Sequence, residues 1–274
     1  MLKQRVLTAI VLLALLLLAL FALPSWGWAI LVGVMLMQGI AEWTTLAKLE
    51  GGEASKFRAI SLLLVLALLA FELFAPAQSQ FLPKLALYII SALLWIFIIP
   101  AWMIANWKPS NPWLMGITGW ALLLPTGLAM LDLRTISPWL LLGLMGLVWV
   151  ADSAAYFAGR RFGKHKLAAA ISPGKTWEGV AGAMLGVTIY VVAVAWYSGL
   201  YHQYLIFPSV VVAAWWWVGL SVIGDLFESL IKRQAGVKDS GSLLPGHGGL
   251  LDRIDALTST LPLAALVILL QTLA

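Results

Sequence analysis

The sequence predicts an all-α fold, a polytopic transmembrane bundle of about nine helices. Three observations predict it. The chain is 62% hydrophobic with a mean hydropathy of +0.96, above the apolar share of a soluble domain. Its apolar residues gather in runs long enough to cross a bilayer, and only 11% of its 274 residues are charged. No polar stretch between the runs is long enough to fold alone, so residues 1–274 read as one integral-membrane domain.

The first run, 6–23, follows Lys3 and Arg5 and resembles a signal peptide. It is too long for a signal core and no small-residue cleavage pair precedes Pro24, so it reads as a retained first helix. The next four runs lie at 26–46, 59–74, 85–105 and 113–131. Four more follow at 138–157, 179–200, 206–227 and 256–273. With this threading, 15 of the 17 Lys and Arg fall on one side, and only Lys84 and Arg134 lie opposite. That bias predicts a cytoplasmic N-terminus. It also accounts for the net charge of +5 without a nucleic-acid partner. The 15 tryptophans include several at run ends, such as Trp26, Trp107 and Trp139, as interfacial belts require. Gly179, Gly182 and Gly186 recur at the spacing of closely packed helices. With no cysteine, disulfides, thiolate metal sites and cysteine nucleophiles are excluded. Three histidines disfavour a His-rich zinc site.

Chemistry concentrates in two segments on the cation-rich side. The first runs from Asp152 through Arg160, Arg161, Lys164 and Lys166 to Ser172-Pro-Gly-Lys175-Thr176-Trp-Glu178. Asp152 sits inside an apolar run and shares a helix face with Tyr156 and Gly159, so it should point into the bundle or a wet cavity. It either carries function or pairs with an arginine to join two helices. Ser172 to Thr176 lacks the spacing of a phosphate loop. It nevertheless opens the seventh helix, where free N–H groups favour phosphate, so Lys175 and Thr176 are candidates to hold one. Glu178 is either a plain helix-start acid or part of the site.

The second segment is denser. Asp225, Glu228, Ser229 and Lys232 form one polar stripe on an otherwise apolar helix, with Asp225 expected to be buried. The glycines of Pro245-Gly-His247-Gly248-Gly249 predict a tight turn that lets the backbone approach a ligand. Asp252 and Asp255 then open the last helix on one face. Carboxylates from two helix ends beside a glycine turn suit Mg²⁺, with a second metal ion permitted by the same set. Interleaved cations suit a polyphosphate. His247 reads as a substrate-binding or turn-stabilising residue rather than a base.

These residues resemble a known family. Ser229-x-Ile231-Lys232-Arg233-x4-Lys238-Asp239-x-Gly241-x2-Leu244-Pro245-x-His247-Gly248-Gly249-Leu250-x-Asp252-Arg253-Ile254-Asp255 is similar, position by position, to the signature of phosphatidate cytidylyltransferases, the CDP-diacylglycerol synthases. Asp152-x3-Tyr156-Phe157-x-Gly159-Arg160 and Ile171-Ser172-Pro173-x-Lys175-Thr176-Trp177-Glu178-Gly179 resemble the family's other shared stretch. Gly174 departs from it, standing where a second lysine is common. The resemblance covers roughly the C-terminal half, within residues 138–274 that carry the site; residues before Asp152, 1–137 included, agree only in being apolar helices.

The resemblance implies transfer of CMP from CTP to phosphatidic acid, giving CDP-diacylglycerol and pyrophosphate with Mg²⁺. It implies Asp225 and Asp252 as metal ligands, with Asp255 and Asp239 beside them. Lys232, Arg233, Lys238 and Arg253 would hold the triphosphate. Asp152, Lys175 and Thr176 would stand nearer the lipid phosphate, with Ser172, Ser229, His247, Gly248 and Gly249 also lining the substrates. The expected setting is a bacterial inner membrane with the site facing the cytoplasm. The alternatives are a CTP-dependent polyprenol kinase and, from another class, a transporter using its buried acids. The oligomeric state is left open, a homodimer included.

Overall fold

The computed structural model describes residues 2–199, 207–243 and 248–272. Its helices, in order, are α1 (Leu2–Ala22), α2 (Ser25–Leu46), α3 (Gly51–Phe74), α4 (Ala77–Ala105), α5 (Pro112–Ile136), α6 (Pro138–Phe162), α7 (Trp177–Ser198), α8 (Phe207–Ala235) and α9 (Leu251–Gln271). A wider π turn at Leu94–Ile98 lies within α4. Eight of these helices are long and apolar enough to cross a membrane. The described apolar part of α1, Ile10–Ala22, falls short of that length, so the expected nine spans become eight among the described residues. The protein is an integral membrane protein.

Burial follows the membrane pattern. α9 is buried on every side from Ala256 to Ala265, and α5 likewise from Gly127 to Leu131. A helix apolar all round belongs at the centre of a bundle. The outer helices turn large apolar side chains outward: Leu63 of α3 is 67% exposed and Leu185 of α7 is 64% exposed. In water such faces would aggregate; against lipid chains they cost nothing.

Two devices set the helix spacing near the cation-rich end. α6 and α7 approach backbone to backbone, because a Cβ on Gly182 would stand 2.2 Å from Ala158 Cβ and one on Gly186 would stand 2.6 Å from Ala154 Cβ. This is the packing role expected of those glycines. α8 and α9 approach through Gly224, whose absent Cβ leaves room for the Ser259 hydroxyl. Ser259 in turn donates to the Leu220 carbonyl at 2.8 Å.

The bundle departs from all-α at one place. Strands β1 (Lys166–Ala168) and β2 (Ser172–Thr176) form an antiparallel hairpin between α6 and α7, pairing Lys166 with Thr176 and Ala168 with Ser172. β1 is only three residues long and β2 is interrupted by Pro173 and Gly174, so no alternating apolar pattern announces them. At the opposite end, both outlying cations are structural. Lys84 is clasped by Glu72 at 2.7 Å and Asp132 at 2.5 Å. Arg134 donates to the carbonyls of Leu20 and Leu23 and lies over the Trp28 ring.

Candidate active site

The polar stripe of α8 forms one wall of the candidate site. Lys232 is buried, and its Nζ meets Glu228 at 3.1 Å and Asp252 of α9 at 2.5 Å. Two turns before Lys232, Asp225 Oδ1 accepts from the Ser229 hydroxyl at 3.3 Å. Its Oδ2 pairs with Lys175 of β2 at 2.6 Å. Asp225 is therefore not buried as expected; its side chain is 33% exposed, because the hairpin approaches that flank without sealing it.

The hairpin aims Lys175 at Asp225. Glu178, in the first turn of α7, accepts from the amides of Lys164 and His165 and meets the His165 ring at 2.6 Å. It is the helix-start acid, and it ties the hairpin base to α7. Thr176 caps α7 by accepting from Gly179 N at 3.1 Å and is 5% exposed. Its hydroxyl oxygen is thus engaged in the helix cap. Ser172 pairs with Ala168 across the hairpin.

At the start of α9, Asp252 is a hub. Oδ1 takes the Lys232 ammonium, while Oδ2 accepts from Ser240 N at 2.9 Å and Gly249 N at 2.8 Å. The Ser240 hydroxyl lies 3.1 Å from the same oxygen. Gly248 has φ +79°, and a Cβ there would stand 2.5 Å from Asp252 Oδ2, so the turn requires glycine for both reasons. Upstream, α8 ends in a Schellman turn: Gly236 has φ +82° and Val237 N donates to the Lys232 carbonyl at 2.9 Å. The chain then doubles back over α9.

Asp255, one turn along α9, accepts from the Ala256 amide and lies within electrostatic range of Asp225, Glu228 and Asp152. Asp152 of α6 lies within electrostatic range of Asp225, Lys175 and Arg253. Asp152 is exposed on an open flank of this cleft rather than enclosed. Five carboxylates from three helices, Asp252 included, thus lie beside two lysines and an arginine. Arg233, Lys238 and Asp239 stay exposed outside this knot, and among the described residues they make no ion pair. His247 lies outside the described residues.

Glu42 of α2 was not anticipated. It accepts from Leu250 N at 2.8 Å, Leu251 N at 2.9 Å and the Ser240 hydroxyl at 2.8 Å. The signal was available: Glu42 is an acid within an apolar run, as Asp152 is. What the sequence lacked was the tertiary contact.

Among the described residues, no three His, Asp or Glu side chains are arranged to share one ion. The donor chemistry nevertheless suits Mg²⁺, which needs one or two carboxylates and takes its other ligands from water and substrate phosphates. Asp225 and Asp252 each already hold a lysine ammonium within 2.6 Å, so a divalent cation would compete with Lys175 and Lys232 for them.

Fold and site together define an integral membrane protein with a charged cleft, suited to polyanionic substrates, at one end of its bundle. Residues 3–271 match the model of the Cytidylyltransferase family, and the chain belongs to that family. It is 38% identical to the phosphatidate cytidylyltransferase of Haemophilus influenzae, with 96% of each chain aligned. It is 37% identical to the protein of that name from Pseudomonas aeruginosa, over 97% of this chain and 96% of the relative. The Thermotoga maritima protein of that name is 42% identical over 43% of this chain and 45% of its own.

Proposed function

We propose that this protein is a phosphatidate cytidylyltransferase acting at the cytoplasmic face of a bacterial inner membrane. The observation that carries the reading is the Lys175–Asp225 pair beside the Glu228–Lys232–Asp252 cluster at one end of the bundle, with Asp152, Asp255 and Arg253 in electrostatic range. Near-full-length relatives of that name support it. The clustering of 15 of 17 cations on the site's side supports the cytoplasmic orientation.

The reaction asks the protein for positioning and charge, not for a nucleophile. An oxygen of the phosphatidate phosphate forms a bond to the α-phosphorus of CTP, and the bond from that phosphorus to the β-phosphate bridging oxygen breaks. Pyrophosphate leaves with that electron pair. Lys175, paired with Asp225, and the exposed Arg253 at the start of α9 would orient the lipid phosphate and the α-phosphate. Arg233 and Lys238, exposed at the rim, would hold the outgoing β and γ phosphates. Mg²⁺, held by Asp225 and Asp252 with Asp255 beside them, would neutralise phosphate charge as a Lewis acid. Asp152 would fix the position of the Lys175 and Arg253 cations.

The test is incubation of purified protein with labelled CTP, phosphatidic acid and Mg²⁺, followed by identification of both products. CDP-diacylglycerol with pyrophosphate is the expected pair. Release of CDP instead would establish a CTP-dependent lipid kinase.

A further inference from the structure

We propose that Glu42 is a positioning residue for the reaction, acting on Asp252 through Ser240 and the glycine turn. Glu42 is the one charged residue of α2 and is only 6% exposed. No lysine or arginine pairs with it among the described residues. A lone buried carboxylate is costly unless its oxygens find donors. Here one donor, Gln38 Nε2 at 2.9 Å, comes from α2 itself. The remaining three all belong to the loop and helix start that carry Asp252: Leu250 N, Leu251 N and the Ser240 hydroxyl.

The consequence is geometric. The Ser240 hydroxyl lies between the two carboxylates, 2.8 Å from Glu42 Oε2 and 3.1 Å from Asp252 Oδ2. The loop closes tightly round the Glu42 side chain. A Cβ on Gly249 would stand 2.3 Å from Glu42 Oε2, and one on Gly241 would stand 3.0 Å from Glu42 Cδ. Glu42 also takes the first free N–H groups of α9, the donors that a helix start would otherwise offer to a phosphate. The phosphates are therefore left to the cations of the cleft, and α9 is locked in register so that Asp252 faces Lys232. The negative charge of Glu42 is matched by the positive end of the α9 dipole.

The inference rests on the cytidylyltransferase reading. Glu42→Gln places an amide NH₂ where a donor now points, so turnover should fall by at least about tenfold. KM for phosphatidic acid should stay within about twofold, because Glu42 touches no substrate. Glu42→Asp, which keeps the charge but shortens the reach, should fall between. Ser240→Ala should reproduce most of the loss, and the double variant should be no worse than the more damaged single variant, as a shared path requires. Full turnover in folded Glu42→Gln, losses that multiply in the double variant, or a loss matched by a reduced folded fraction would each overturn the inference. If Glu42→Gln does not fold, unchanged turnover in Ser240→Ala overturns it. A wild-type protein that makes no CDP-diacylglycerol would instead sink the reading beneath it.

Discussion

Asp252 and Lys238 belong to the same short segment yet face opposite physical demands. Asp252 is held by Lys232, Ser240 and Gly249, so both of its oxygens serve the fold as well as the chemistry. Asp252→Asn removes the charge facing a buried ammonium and turns one oxygen into a donor. It should lower stability by about 2–4 kcal/mol and abolish Mg²⁺-dependent turnover. Thermal unfolding in detergent and product formation measure the two losses separately, and near-normal turnover would exclude Asp252 as a ligand. Lys238 is exposed and makes no ion pair among the described residues, so its removal costs the fold nothing comparable. Lys238→Ala should unfold at the wild-type temperature and raise KM for CTP more than KM for phosphatidic acid. Equal increases would argue against contact with the nucleotide phosphates.

At the scale of elements, the site depends on how closely α6 and α7 approach, since Asp152 sits on one and the hairpin carrying Lys175 is tied to the other. Gly182 leaves no room for a side chain against Ala158. Gly182→Leu should force the two helices apart, costing about 1–3 kcal/mol as overpacking does. Turnover per folded molecule should fall as well, because Lys175 shifts relative to Asp225. Crosslinking between cysteines introduced at the facing ends of α6 and α7 would report the separation; unchanged crosslinking and turnover would show that the pair tolerates the bulk. The helices themselves were legible in the sequence because an uninterrupted apolar run has one stable form in lipid, and the packing role of the three glycines was legible from their spacing. The hairpin was not, since its pairing rests on backbone bonds between short strands. Glu42 was visible as an acid in an apolar run, but its partners lie some 200 positions away in sequence. The enclosure of Thr176 and the partial exposure of Asp225 also arise only once the hairpin is folded against α8.

Across the whole molecule, two charge systems occupy opposite ends of the bundle and differ in kind. The candidate site is open, exposing Asp152 and a third of Asp225. The far system is closed: Lys84 bridges Glu72 and Asp132, and the Tyr88 hydroxyl donates to the second Asp132 oxygen at 2.6 Å. Lys84 and Tyr88 are both buried, and the cluster joins α3, α4 and α5 away from the functional end. A buried cluster whose charges meet one another serves assembly of the bundle, whereas an open one with exposed cations at its rim serves ligands. Lys84→Ala separates these roles. It leaves two carboxylates enclosed without their ammonium, which should cost about 3–5 kcal/mol and lower the unfolding temperature in detergent. Turnover per folded molecule should remain at the wild-type level, because the buried layers of α5 and α9 lie between the two ends and no ion pair among the described residues crosses them. Measuring product formation against the folded fraction tests the separation. A fall in turnover beyond the loss of folded protein would show instead that the far end sets the geometry of the cleft.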